Sequence, residues 1–139
     1  AVNSFEKCLD KMNEYADIHF GLGKGLYLLG RNEEGTEEMQ KALNINPKIG
    51  YGEPYIYLLE NQLANENNGE KINNYIQKIR QFGTPEILYK GGIKLYKYDQ
   101  IKAKELLQEG LNTYQVIPRN FRKVHRRWAF LTRLKLLGK

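Results

Sequence analysis

Two apolar patterns with helical spacing follow one another in the first third of the sequence, separated by a glycine and closed by a proline. In the first pattern Leu22, Leu26 and Leu29 recur three or four residues apart, which predicts one buried stripe along a helix. Gly30 favours the end of that helix, since glycine adopts the left-handed conformation that a helix C-terminus often needs. Pro47 ends the second helix, because proline cannot continue a helix interior. The segment therefore predicts two antiparallel helices joined by a short turn.

Small residues stand where the two helices would cross. Gly23 in the first helix and Gly35 in the second have no Cβ, so they would let the two backbones approach closely. A glycine inside a helix costs about 1 kcal/mol relative to alanine, and close packing is the expected compensation. The buried stripe of the second helix continues through Met39, Ala42 and Leu43. These residues predict a tightly packed helical hairpin.

This hairpin resembles the tetratricopeptide repeat (TPR), a helix–turn–helix unit of about 34 residues. The resemblance is carried by the small residues Gly23, Gly35 and Ala42. His19, Leu26 and Met39 depart from the family, which often has tryptophan, tyrosine and phenylalanine at these places, but all three suit packing. The resemblance implies an all-α fold, a right-handed TPR-like superhelix (α-solenoid) of about eight antiparallel helices.

The rest of the chain is expected to repeat this unit within a single TPR-like domain. The predicted parts are a half-repeat at 1–15, repeats at about 16–49, 53–83 and 84–117, and a basic C-terminal helix at 119–137, together spanning 1–139. Cys8 would fill the small buried slot that Ala42 fills in the next repeat, so we predict it to be a core residue. The run Gly83-Thr84-Pro85-Glu86 predicts the end of one helix and the start of another. The opening half-repeat predicts that the chain is a fragment of a longer protein.

In TPR stacks the first helix of each pair lines an inner groove, and the resemblance implies such a groove here. Its predicted partner-binding residues are Phe20, Lys24, Tyr27, Tyr57, Asn61, Tyr89 and Tyr96. Aromatic side chains are enriched at binding hot spots, so the groove would hold a peptide or helix of a protein partner. The set of Lys, Asn and Arg with which chaperone-binding TPR proteins clamp a peptide carboxylate is absent. In a second interpretation, several of these tyrosines only fill gaps between repeats.

The C-terminal helix holds the excess positive charge. Residues 119–139 contain eight Lys or Arg and no Asp or Glu, whereas the rest of the chain has 14 basic and 16 acidic residues. The predicted basic patch consists of Arg119, Arg122, Lys123, Arg126, Arg127 and Arg133. Such a patch can neutralise the phosphates of nucleic acid or lie on an anionic membrane. It can also contact an acidic protein or form a solvated outer face, and the sequence leaves these alternatives open.

The sequence shows no arrangement of residues that would support catalysis or hold a metal or a cofactor. His19 and His125 are its two histidines, and the spacing places them in different repeats. We predict His19 to be a buried packing residue. Cys8 is the single cysteine, so it can neither form an internal disulfide nor build a cysteine-based metal site. The expectation is a protein with no enzymatic activity, no cofactor and no small-molecule substrate.

The expected function is a non-catalytic protein–protein interaction scaffold that binds a peptide or helix in the groove. One alternative is a basic adaptor that binds nucleic acid or an anionic membrane through the C-terminal helix. Another alternative is an accessory domain of a larger enzyme. No apolar run approaches the roughly 18 residues of a membrane span, and a cytoplasmic location is expected.

Overall fold

No glycine or proline interrupts residues 2–20, so nothing in that stretch ends a helix. In the computed structural model these residues belong to one long helix, α1 (Val2–Leu28). The structure describes the backbone of residues 2–138 and the side chains of residues 7, 11–65 and 67–138. The half-repeat and the first helix of the next repeat therefore form one continuous helix, which corrects the prediction of two. The predicted core position of Cys8 lies outside the described side chains.

Six further α-helices follow α1 within residues 2–138, and this part of the chain contains no β-strand. They are α2 (Asn32–Ile45), α3 (Glu53–Asn61), α4 (Gly69–Phe82), α5 (Pro85–Tyr96), α6 (Gln100–Val116) and α7 (Arg122–Gly138). Short 3-10 turns lie at Ile49–Gly52 and Arg119–Phe121, and a π-helical turn lies at Gln62–Glu66. Each described helix is too short or too polar to cross a membrane. The all-α class is confirmed, with seven helices in the described residues instead of about eight, while the TPR-like superhelix stays a prediction.

The chain forms two compact units, Ala1–Leu58 and Leu59–Lys139, and the boundary between them falls inside α3. This boundary also lies inside the interval 53–83, which the sequence predicts as one repeat. Each unit has its own helical hairpin, formed by α1 with α2 in the first unit and by α5 with α6 in the second.

The hairpin of α1 and α2 is built on two glycines that lie against each other's backbone. A Cβ on Gly23 would lie 3.2 Å from the carbonyl oxygen of Gly35, and a Cβ on Gly35 would lie 3.1 Å from that of Gly23. A larger side chain would force the neighbouring backbone to shift, so the predicted close approach is confirmed. The core beside the crossing contains Ala16, Phe20, Leu26, Met39, Ala42 and Leu43.

The buried stripe of α1 is rotated relative to the prediction. Leu26 is buried, as expected, but Leu22 and Leu29 are exposed. The crossing at Gly23 sets which side of α1 faces α2, and Phe20 lies on that side. α1 therefore has a buried apolar side with Phe20 and Leu26 and an exposed apolar side with Leu22, whereas Leu29 lies beyond the end of the helix.

The second unit is built around the hairpin of α5 and α6, with α4 against α5 and α7 against both helices. Gly83 adopts a left-handed conformation with φ of 64° at the end of α4. The Thr84 side chain accepts a hydrogen bond from the Ile87 amide at 3.2 Å, so the predicted helix boundary is confirmed. Where α5 and α6 cross, a Cβ on Gly92 would lie only 2.8 Å from the side chain of Leu107. A glycine again permits the close packing of two helices.

Candidate interaction surfaces

Phe20 is a core residue, which corrects its assignment to an open groove. Only 8% of its surface is exposed, because it shares the inner side of α1 with Gly23. Its ring packs against the backbone of Gly50, where an added Cβ would come within 2.8 Å of a ring carbon. The Lys24 ammonium lies 4.1 Å from the centroid of the Phe20 ring and 3.6 Å from Glu53 Oε1. Lys24 thus has both an aromatic and an acidic neighbour inside the first unit.

Tyr27 and Tyr57 are half-buried and stack on each other between α1 and α3. Their ring centroids are 5.6 Å apart and the ring planes differ by 13°. The Tyr27 hydroxyl donates a hydrogen bond to Thr36 Oγ1 at 2.6 Å, and Thr36 donates to the carbonyl oxygen of Asn32 at 2.9 Å. The pair therefore fills space between helices, as the second interpretation expects, while part of both rings stays exposed.

The remaining groove residues belong to the second unit, where α7 covers two of them. The Tyr89 ring centroid lies 5.7 Å from that of Trp128 on α7. The Tyr96 ring centroid lies 4.1 Å from the Lys135 ammonium, also on α7. Asn61 Oδ1 accepts a hydrogen bond from the Asn65 side chain at 2.6 Å. Peptide binding by the predicted groove stays a prediction.

Arg122 stabilises the fold, which corrects its assignment to an open basic patch. Its Nε and Nη2 atoms donate hydrogen bonds to the carbonyl oxygens of Ile117 and Gln115, each at 2.7 Å. These carbonyls lie at the C-terminal end of α6, where backbone acceptors lack helical partners and a positive charge is favourable. The Tyr114 ring contacts both Arg122 and Arg133, whose guanidinium carbons lie 5.7 and 5.9 Å from its centroid.

Arg119, Lys123 and Arg126 are exposed and contact no carboxylate or aromatic ring among the described residues. Arg127 is exposed as well, and its guanidinium carbon lies 5.1 Å from the ring centroid of the neighbouring Trp128. Residues 119–139 contain no Asp or Glu, so α7 itself offers these cations no counter-ion. They are available to an anionic partner.

The outer side of α7 also carries large apolar side chains, which lie outside the predicted basic patch. Phe130, Leu134 and Leu137 are 58%, 51% and 78% exposed and recur at four- and three-residue spacing. Ala129 and Thr132 are buried on the opposite side, since small residues let α7 lie close to α5 and α6. The signal in the sequence was this alternation of small and large residues around the helix. The α7 outer face denotes Lys123, Arg126, Arg127, Phe130, Leu134 and Leu137.

His19 is half-buried and hydrogen-bonded, which corrects its prediction as a buried packing residue. Its Nδ1–H donates to Glu38 Oε2 at 2.5 Å, and the Lys41 ammonium lies 3.2 Å from Glu38 Oε1. The hydrogen bond from His19 lowers the pKa of Glu38 below its ordinary value, and Lys41 adds to the effect. Within the part of the chain that the structure describes, no group of three His, Cys, Asp or Glu could hold a metal ion.

A shallow cleft of about 240 Å³ lies in the second unit beside the π-helical turn. Lys102 Nζ in its lining donates a hydrogen bond to Asn73 Oδ1 at 3.0 Å. Asp99 Oδ1 accepts a hydrogen bond from the backbone amide of Lys102 at 3.1 Å and so caps α6. Because its charged groups already have partners within the protein, the cleft is not our candidate site.

Comparison with known proteins adds no relative to this picture. No protein-family model, curated protein sequence or solved structure matches the chain. The TPR resemblance and the choice of a functional surface therefore depend on the residues and contacts of this chain alone.

Proposed function

We propose that this chain is a non-catalytic protein-interaction module whose docking surface is the α7 outer face. The surface would bind an acidic amphipathic helix of a protein partner. One observation carries the proposal: unpaired cations and exposed large apolar side chains share one face of a helix whose other face packs on the protein. The proposed architecture is a TPR-like solenoid, supported by the glycine crossings at Gly23 and Gly35 and at Gly92.

The charge of the α7 outer face favours an acidic partner. Lys123 and Arg126 have no counter-ion among the described residues, and Arg127 contacts only a neutral ring. Complementary charge speeds association and excludes partners of the same sign. An ion pair that stays exposed stabilises a complex by only about 0–1 kcal/mol. Charge would therefore select the partner, and apolar contacts would supply most of the affinity.

The apolar side chains of the α7 outer face favour a helical partner. Phe130, Leu134 and Leu137 lie along one side of α7, four and three residues apart. The apolar stripe of an amphipathic partner helix has the same spacing, so the two stripes can pack against each other. Fully burying one such side chain stabilises a complex by about 1.5–3 kcal/mol, and burying only the exposed part stabilises it less. Nucleic acid would bind the cations but leave both leucines in water. For this reason we favour a protein over the nucleic-acid alternative.

The proposal is tested with a labelled synthetic helix of about 18 residues, five turns, that carries Glu around a leucine stripe. We expect fluorescence anisotropy to show binding to the chain, with at least tenfold weaker binding to Arg126→Glu with Arg127→Glu and to Leu134→Ser with Leu137→Ser. Lys97→Glu with Lys104→Glu makes the same charge change at exposed sites off α7 and should bind like the wild type.

Three results would contradict the proposal. The first is equal binding of the peptide by the α7 variants and the wild type. The second is binding of a scrambled peptide of the same composition. The third is binding of the chain to heparin or to phosphatidylserine vesicles at a salt concentration at which the chain no longer binds the peptide. That result would support the polyanion alternative instead.

A second candidate surface is the predicted groove, which the Tyr27–Tyr57 pair favours. Both rings stay partly exposed, and Lys24 and Glu53, one turn earlier on the same two helices, lie 3.6 Å apart. A partner held at the Tyr27–Tyr57 pair should be captured less by Tyr57→Ala and normally by the charge-reversed α7 variant. Unchanged capture with unchanged circular dichroism would remove the groove from consideration.

The proposed module works in a reducing compartment such as the cytoplasm. Cys8 is the single cysteine, so the chain has no internal disulfide to gain from an oxidising environment. An unpaired thiol in such an environment is prone to pairing between chains.

A further inference from the structure

The turn before α4 contains the single asparagine of the sequence that a glycine follows, Asn68 before Gly69. In such a pair the backbone nitrogen of the glycine can attack the side-chain carbonyl carbon of the asparagine. Glycine favours this attack because it has no Cβ to shield its nitrogen. Both residues are exposed, so water reaches them. The pair thus has the chemistry and the access that a spontaneous covalent change needs.

The reaction that this pair supports is deamidation, in two balanced steps. In the first step a bond forms between the Gly69 nitrogen and Asn68 Cγ, and the bond from Cγ to the side-chain nitrogen breaks. Ammonia leaves with the proton of the Gly69 amide, and a cyclic imide remains. In the second step water opens this ring. Cleavage between the nitrogen and Cγ gives aspartate, whereas cleavage between the nitrogen and the backbone carbonyl carbon gives isoaspartate. Nothing is oxidised or reduced, and water is the co-reactant.

The fold holds Asn68 in a conformation in which the ring cannot close. Asn68 is the N-cap of α4, and its Oδ1 accepts a hydrogen bond from the Lys71 amide at 3.2 Å. Its ψ of 110° turns the Gly69 nitrogen away from the side chain. The Asn68 amide donates to Gln62 Oε1 at 3.3 Å, and its carbonyl accepts from the Ile72 amide at 2.9 Å. Deamidation therefore requires that the start of α4 opens first.

The surroundings of Asn68 allow such an opening. The segment Gln62–Glu66 is π-helical, and Asn67 adopts the left-handed conformation with φ of 52°. A π-helical turn is rare, and the left-handed conformation is unfavourable for a residue with a Cβ, although asparagine tolerates it better than most. Residues 67–71 are all exposed, so few buried contacts hold the start of α4. Segments of this kind open at a lower free energy than the core does.

We propose that Asn68–Gly69 is a deamidation site whose rate is controlled by opening of the start of α4. A closed N-cap keeps the Asn68 side chain on the Lys71 amide and away from the Gly69 nitrogen. The stability that an N-cap usually adds corresponds to about tenfold in an equilibrium constant. The folded chain should therefore deamidate at least about tenfold more slowly than the unfolded chain. The inference does not depend on the α7 outer face.

The two products should affect α4 in opposite ways. Aspartate caps a helix about as well as asparagine, and its charge is favourable at a helix N-terminus. Asn68→Asp should therefore melt at the wild-type temperature or above it. Isoaspartate routes the chain through Cγ and adds a carbon to the backbone, which moves both oxygens that bond the Lys71 and Ile72 amides. The fraction of chain that contains isoaspartate should therefore melt at a lower temperature.

The test incubates the full chain at mildly alkaline pH, with and without a denaturing concentration of urea. Mass spectrometry then follows the tryptic peptide 49–71, which ends at Lys71. We expect deamidation at Asn68 to be at least about tenfold faster in urea. Asn61, Asn65 and Asn67 lie in the same peptide before larger residues and should stay intact, so they are internal controls.

Two variants separate the chemistry of the site from its control by the fold. In Gly69→Ala the added Cβ meets no atom within 4 Å, so the variant should fold normally and deamidate much more slowly in urea. Ile76→Ala removes a buried side chain of α4 and leaves the Asn68–Gly69 pair unchanged. It should deamidate faster than the wild type without urea and at the same rate in urea. Gln77→Ala, at an exposed position of α4, is the matched control and should follow the wild type.

Different results would overturn the two parts of the proposal. Equal rates for the wild type with and without urea would show that the fold does not control the reaction. Equal rates for Ile76→Ala and the wild type without urea would contradict the same part. An intact Asn68 in urea, or equal deamidation at Asn61, Asn65 and Asn67, would overturn the site itself.

Discussion

At the scale of single residues, the structure separates cations that hold the fold from cations that face outward. Arg122 donates two hydrogen bonds to backbone carbonyls at the C-terminal end of α6, whereas Arg126 has no partner among the described residues. Hydrogen bonds from a charged donor contribute about 1.5–3 kcal/mol, so Arg122→Ala should lower the free energy of unfolding by about that amount. Arg126→Ala should change it by less than about 0.5 kcal/mol. Urea unfolding of the two variants checks this, and equal losses would contradict the assignment.

Glu38 gives the fold a specific dependence on pH. Its hydrogen bond from His19 lowers its pKa below the ordinary 4.5, so the folded chain binds the Glu38 proton less readily than the unfolded chain does. The ionised Glu38 side chain therefore stabilises the folded chain at pH values above its pKa in the unfolded chain. This stabilisation is lost as the pH falls through its pKa in the folded chain. Between about pH 5 and pH 3 the melting temperature of Glu38→Gln should therefore fall less than that of the wild type.

The control for this measurement is Glu37→Gln. Glu37 is exposed on the same helix and has no partner among the described residues. It should follow the wild-type curve. A Glu38→Gln curve parallel to that of the wild type would mean that the His19 contact does not form in solution.

At the scale of helices, spacing predicted where most elements lie but not which side of each one faces inward. Gly23, Gly35 and the run from Gly83 to Glu86 were found because glycine, proline and capping residues act locally. The inner side of α1 was missed because the helix has two apolar stripes of similar strength. Periodicity cannot choose between them, and the backbone contact at Gly23 does. The same limit applies to α7, where spacing did not predict the outward position of Leu134.

Alanine substitution at Gly23 and Gly21 of α1 and at Gly35 of α2 tests the helix crossing. An alanine at Gly23 or Gly35 would place its Cβ 3.2 or 3.1 Å from a backbone carbonyl oxygen, so each variant should be destabilised by about 1–3 kcal/mol despite better helix propensity. Alanine at Gly21 meets open space and should stabilise the chain by about 0.5–1 kcal/mol. Thermal unfolding followed by circular dichroism ranks the three variants by stability. Destabilisation by all three substitutions would contradict the expected ranking.

At the scale of the whole molecule, charge is distributed unevenly along the chain. The excess of basic over acidic residues lies in 119–139, while the first 118 residues are slightly acidic. Sequence alone located this asymmetry, because it needs only a count. It did not show that Arg122 is used by the fold or that the cations adjoin exposed leucines, because both facts depend on how α7 rotates against α5 and α6. The tyrosines of the predicted groove likewise proved to have aromatic or cationic neighbours that spacing does not reveal.

The most direct test of the central claim locates the docking surface on the chain. Hydrogen–deuterium exchange followed by mass spectrometry is measured with and without the acidic synthetic helix. We expect exchange to slow in residues 119–137 and to stay unchanged around Tyr27 and Tyr57. Slowed exchange around Tyr27 and Tyr57 with no change in 119–137 would contradict the claim and move the binding site to the predicted groove.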